Sequence, residues 1–112
     1  PGDEDRLRQL IQWTYEHYQE HVSLDMVSQQ MNISKFYLCK YFKQTTNMTY
    51  LTYLNLVRLE KAVQRLRLGK NVTECAAECG FDSVSYFVQL FKRTLGYTPG
   101  QYIRLNGNES SK

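Results

Sequence analysis

Residues 80–102 read GFDSVSYFVQLFKRTLGYTPGQY, where six aromatics (Phe81, Tyr86, Phe87, Phe91, Tyr97 and Tyr102) stand among serines, a lysine and an arginine. Phe87 and Phe91 lie four apart, one turn of a helix, so they mark a single buried stripe. Ser83 is a helix-capping residue just ahead of it, and Gly96 suits a left-handed stop. The spacing therefore predicts a helix from Val84 to about Leu95. Thr98-Pro99 opens a last helix, since proline fits a first turn. Phe81, Phe87, Phe91 and Tyr102 are expected in the core.

Nearly the same pattern occurs earlier. Leu24, Val27, Ser28, Met31 and Ile33 match Val72, Cys75, Ala76, Cys79 and Phe81 at a constant offset of 48. Ser34, Leu38, Phe42, Lys43, Asn47, Thr49 and Tyr53 match Ser83, Phe87, Phe91, Lys92, Gly96, Thr98 and Tyr102 at 49. The step from 48 to 49 places one extra residue at or near Asp82. Such a duplication means one supersecondary unit used twice. Each copy is a short helix, a tight turn around asparagine or glycine, and a longer helix, which is the helix-turn-helix arrangement.

The remaining elements follow from caps and periodicity. Leu7, Leu10, Ile11, Tyr15 and Tyr18 predict an amphipathic helix from Glu4 to about Glu20. Ser23 caps Leu24 to Met31, with Met26 where a capping-box carboxylate would stand. Ser34 caps Lys35 to about Thr45, and Asn47 ends it. Thr49 caps a long helix, roughly Tyr50 to Leu68, stopped by Gly69. Asn71 or Thr73 opens a short helix reaching Cys79. The expected fold is all-α: about seven helices in two helix-turn-helix subdomains joined by a long central linker helix. Its divisions are 1–48, 49–69, 70–106 and a polar tail, 107–112.

Composition bounds the function. The chain has 112 residues, 42% hydrophobic and 22% charged, which fits a folded domain rather than a disordered one. Apolar runs are too short for a membrane span or signal peptide. Net charge is +3, but residues 1–21 hold five acids and two bases, and residues 22–70 two acids and eight bases. A basic middle is compatible with nucleic acid, and equally with a solvated helix face. Three cysteines without a secretion signal point to a reducing compartment. The start at Pro1, without a methionine, reads as a cut from a longer protein or as a cloning remnant.

The positions off the two buried stripes are the candidate interface. A recognition helix presents its N-terminal residues to base edges while its neighbours hold phosphates. The candidate base contacts are Phe36, Cys39 and Lys40 in the first copy, and Val84, Ser85, Val88 and Gln89 in the second. The candidate backbone contacts are Ser34, Lys35, Lys43, Ser83, Lys92 and Arg93. Lys40 can donate to guanine, Gln89 can pair with adenine, and Phe36, Val84 and Val88 can meet thymine methyls. A linker of roughly 19 residues spans about 28 Å at 1.5 Å per residue. Successive major-groove faces lie about 34 Å apart, so two recognition helices in adjacent grooves are feasible.

Competing chemistry finds little support. Cys75 and Cys79 have a spacing that metal sites use, but they occupy the places of Val27 and Met31 and read as core. His17 and His21 share a helix face with nothing to complete a site. The N-x-S/T matches at Asn32, Asn47 and Asn71 fall at helix junctions, where those residues serve as caps. No phosphate loop, nucleophile elbow or carboxylate pair is present to carry enzymatic activity, and no cofactor is expected. The rival reading is a helical protein-interaction module, which leaves the repeated turn-linked helices unexplained.

AAECGFDSVSYFVQLFKRTLGYTPGQY (76–102) and VRLEKAVQRLRLG (57–69) together resemble the AraC/XylS-type DNA-binding domain of bacterial transcription regulators. The resemblance runs from about Leu7 to Arg104, with Arg58, Leu59, Ala62 and Leu66 matching the family's linker helix. It implies a seven-helix domain with two motifs that bind promoter DNA, and the same base-contact positions named above. It further implies contact with RNA polymerase, a separate effector-binding or dimerisation domain, and a cytoplasmic, nucleoid-associated location. Two positions depart from the family pattern: Gln89 stands where arginine is frequent, and Cys39 where a longer polar residue is common.

Overall fold

The computed structural model describes the backbone of residues 2–110 and the side chains of residues 4–106. Its elements are all helices: α1 (Gly2–His17), α2 (Leu24–Met31), α3 (Lys35–Thr46), α4 (Tyr50–Arg67), α5 (Val72–Glu78), α6 (Val84–Leu95) and α7 (Pro99–Ser110). The chain divides into two compact units, Pro1–Val57 and Arg58–Lys112, with the boundary inside α4.

Helices α2 to α7 all begin with the same device, a side-chain oxygen accepting the backbone N–H three residues on. Ser23 takes Met26 N at 3.2 Å, Ser34 takes Tyr37 N at 3.0 Å, and Thr49 takes Thr52 N at 3.1 Å. Asn71 takes Glu74 N at 2.8 Å, and Ser83 and Thr98 take Tyr86 N and Gln101 N, each at 3.1 Å. Gln101 also accepts from Thr98 N at 2.8 Å, completing a capping box.

The stops are shared between the copies too. Asn32 (φ 58°) and Gly80 (φ 89°) are left-handed. The next N–H then reaches back over the turn, Ile33 N to Ser28 O and Phe81 N to Ala76 O, both 3.0 Å. This is the Schellman ending. Asn47 (φ 65°) and Gly96 (φ 91°) end the longer helices, donating to Lys43 O at 2.9 Å and Lys92 O at 2.8 Å.

In the first unit Leu38 and Phe42 are fully buried beside Val27. The Phe42 ring meets Tyr50 edge-on, centroids 5.6 Å apart, and Tyr53 at 5.6 Å. The Thr14 hydroxyl donates to Leu10 O at 2.7 Å, so Tyr50 Oη, also at 2.7 Å, must be the donor to Thr14. In the second unit Phe87, Phe91, Cys75 and Cys79 are fully buried, and Leu90 nearly so. Phe81 packs on Phe87 at 4.9 Å and Phe91 on Tyr102 at 6.1 Å. Arg67 Nε donates to Tyr102 Oη at 2.6 Å.

Two expectations are revised. α1 ends at His17 rather than Glu20, where Glu20 N closes a turn on His17 O at 2.9 Å. Its buried face is Leu10, Trp13 and Thr14, with Tyr18 buried just beyond its end, whereas Tyr15 is exposed. Thr14 takes the inward place because its hydroxyl is satisfied by α1's own backbone and by Tyr50. α7 runs through the polar tail as far as Ser110.

Gly96 has open space around a would-be Cβ, so replacing it costs only the left-handed backbone. Gly96→Ala is expected to lose about 1 kcal/mol or more in chemical denaturation, and Gly96→Asn less. Glu78 generates a second expectation. Its carboxylate accepts from Lys70 Nζ at 2.8 Å and Arg65 Nε at 3.0 Å. The Lys70 hydrogen bond, helped by Arg65, holds it below the usual carboxylate range. A depressed carboxyl stabilises the fold above its ordinary pKa and loses that contribution as pH falls through the folded value. Wild type should therefore exceed Glu78→Gln in melting temperature at neutral pH, with the gap closing below about pH 4.

Candidate nucleic-acid interface

Burial of Leu38 and Phe42 fixes the rotation of α3 and decides what faces outward. Ser34, Lys35, Phe36, Cys39, Lys40 and Lys43 are all exposed. Phe36 is 76% exposed, an unusual state for a phenylalanine. The Lys40 ammonium lies 5.9 Å from its ring centroid, within cation–π range. Lys35 Nζ is 3.1 Å from Asp25 of α2. Lys43 Nζ is 3.5 Å from Asn47 O at the end of its own helix. Tyr37 and Tyr41 stack at 5.9 Å, and the Arg6 guanidinium of α1 sits 5.9 Å from the Tyr37 ring.

In α6 the stripe of Phe87, Leu90 and Phe91 is buried, leaving Ser83, Ser85, Gln89, Lys92 and Arg93 exposed and Val84 38% exposed. Val88 is half-buried. It lies about 60° around the helix from Phe91, so it borders the apolar stripe. Each of these helices thus carries its sequence-identified residues on the outward side of its own unit, except Val88 at the edge of the apolar stripe.

Neither α3 nor α6 contains an acidic residue, while together they carry Lys35, Lys40, Lys43, Lys92 and Arg93. Lys40, Lys92 and Arg93 make no ion pair among the described residues. Cations elsewhere are engaged: Arg8 with Glu4 and Asp5, and Arg65 and Lys70 with Glu78. Ser34 and Ser83 accept from the helix start, so each hydroxyl hydrogen remains available for an outside acceptor.

The cysteines separate by environment. Cys39 is exposed and lines a hollow of about 230 Å³ with Leu24, Thr49, Tyr50 and Leu51. Cys75 and Cys79 are buried, and burial raises both thiols, Cys79 to about 11. They therefore stay protonated and inert at neutral pH. Among the described residues no group of three or more side chains is placed to hold a metal. His17 is half-buried, stacked 4.3 Å from the Trp13 ring, with Nδ1 2.8 Å from Trp13 O. Sequence reasoning missed the Asp25–Lys35 pair and the Arg6–Tyr37 contact. The available signal for the first was that Asp25 is the one acid among residues 22–59.

Comparison with known proteins agrees with this geometry. A family model described as a helix-turn-helix domain matches residues 27–105. The chain is 38% identical over 99 residues to the HTH-type transcriptional activator RhaS of Salmonella schwarzengrund, covering 88% of this chain and 36% of that protein. The chain spans about a third of the length of the first such relatives. Among solved structures, it is similar to the C-terminal domain of AraT, a response regulator from Geobacillus stearothermophilus, with a TM-score of 0.84 and 29% identity, covering 89% of this chain and 84% of that one. It is also similar to the DNA-binding domain of AdpA, a global transcriptional factor solved with a target DNA. That match has a TM-score of 0.84 and 26% identity over 95% of this chain and 96% of the other. No helix among the described residues is long and apolar enough to cross a membrane. Two repeated, capped helix-turn-helix units and these relatives lead to one conclusion: the chain belongs to the AraC/XylS-type family, the helix-turn-helix DNA-binding domains of bacterial transcription regulators.

Proposed function

We propose that α3 and α6 are both recognition helices, reading double-stranded promoter DNA in adjacent major grooves. The observation that carries this reading is the acid-free, cation-bearing outward face of both helices. Phe36, Cys39 and Lys40 take base edges from α3, and Val84, Ser85, Val88 and Gln89 from α6. Ser34, Lys35, Lys43, Ser83, Lys92 and Arg93 hold phosphates. The relative AdpA, solved on its target DNA, supports the class of partner. RNA polymerase and an effector-binding or dimerisation domain of the same full-length protein complete the proposed partners. The proposed location is the cytoplasm, on the nucleoid. The relatives are named as transcriptional regulators and activators, and the proposed role is binding alone.

Selection from a random duplex pool at about 150 mM salt tests this reading. Two enriched boxes with centres about 10–10.5 base pairs apart are expected. A single box would confine base reading to one helix, and no enrichment together with no salt-dependent affinity would favour a protein-interaction module. Lys40→Ala should cost about 1–3 kcal/mol on the selected site and relax preference at one position. Lys92→Ala should weaken all duplexes alike and lower the salt slope by about 1. Bound DNA should also protect Cys39 from a thiol reagent, with labelling of the free protein confined to that cysteine. Undiminished labelling in the complex would remove Cys39 from the interface.

A further inference from the structure

We infer that Asp25 limits indiscriminate phosphate binding by the first motif, by holding the ammonium of Lys35. This inference rests on the DNA-binding reading above. Lys35 opens α3, and its Nζ lies 3.1 Å from the Asp25 carboxylate in the first turn of α2. Both side chains are more than half exposed, so burial does not force them together.

The fold does not need the pair. The internal repeat supplies the control, because the positions of Asp25 and Lys35 are occupied in the second copy by Thr73 and Val84. That copy still builds its short helix, its Schellman ending and its capped second helix, with matching backbone hydrogen bonds. A cation at a helix N-terminus also opposes the helix dipole. Lys35 is therefore poorly placed for stability unless a carboxylate or phosphate is near it.

A lysine engaged by a carboxylate has little net field to offer a phosphate. When DNA approaches, the phosphate must either displace Asp25 or share the ammonium with it. In either case a carboxylate is left close to the DNA backbone, and the gain from releasing one counterion is largely cancelled. Non-specific complexes depend on such phosphate contacts almost entirely. Asp25 thus trims their affinity without touching the base-reading positions.

The test uses a mixed-sequence duplex lacking the selected boxes, with the salt dependence of affinity measured between about 50 and 200 mM. Asp25→Asn should steepen the slope of log affinity against log salt by about 0.9. The loss of affinity across that range then grows about 3.5-fold over wild type. Asp25→Glu, which keeps the carboxylate, should retain the wild-type slope. Asp25→Asn combined with Lys35→Gln should match Lys35→Gln alone. A helix-capping role for Asp25 would change melting temperature and leave the slope alone. An unchanged slope in Asp25→Asn overturns the inference, as does equal steepening with Lys35 already removed. Absence of any salt-dependent binding by wild type would overturn the DNA reading itself, and this inference with it.

Discussion

The left-handed residue after each short helix is the constraint on which each unit depends. At Asn32 and Gly80 the backbone turns into a region that most side chains avoid. The N–H groups of Ile33 and Phe81 consequently reach back 3.0 Å to the carbonyls of Ser28 and Ala76. That bond closes the short helix, and the next cap follows one residue later at Ser34 in the first copy and two later at Ser83 in the second, where α3 and α6 start. With their starts fixed, Leu38 and Phe42, or Phe87 and Phe91, turn inward together. A different residue conformation at these turns would rotate both recognition helices and carry their outward faces with them.

Packing then locks the rotation. Phe42 against Tyr53 and Phe91 against Tyr102 are equivalent contacts, since the two tyrosines occupy matched places, and Tyr50 adds an edge-on contact to Phe42 in the first copy. Two buried aromatic or aliphatic anchors four apart leave a helix little freedom to roll. The outward residues of α3 and α6 are therefore held by rigid elements rather than by loops. Such preorganisation lets a weak side-chain preference become a usable one, because less ordering entropy is lost on binding.

Much of this was legible because it was written in local chemistry. Ser83, Ser34 and Thr98 name their helix starts directly, and Gly96 and Asn47 their stops, whereas the choice between Asn71 and Thr73 is made only by the Asn71 cap on Glu74 N. The duplication made the architecture plainer still, since each copy checks the other. What escaped was tertiary. Thr14 looks polar in sequence, and its burial follows only from the carbonyl of Leu10 and the hydroxyl of Tyr50. Tyr15 looks apolar and is exposed. Leu90 is buried because the inward stripe of α6 is wider than a Phe87–Phe91 pair suggests. On the interface side, sequence identified the outward residues but not their engagements. Lys35 counts as a free cation in the sequence, whereas in space it is joined to Asp25 ten residues away.

Setting the copies side by side separates what folding requires from what remains free to vary. Ser34 and Ser83 are the same, as are Lys43 and Lys92 and Tyr53 and Tyr102, and the buried pairs exchange one apolar side chain for another. Four outward positions between them differ: Lys35 with Val84, Phe36 with Ser85, Cys39 with Val88 and Lys40 with Gln89. The first copy presents charge and an exposed ring, the second small, aliphatic and amide groups. Amides and methyl-sized contacts depend on close fit at base edges, while ammonium groups act over longer distances and respond to salt. A common scaffold therefore carries two chemically different outward faces.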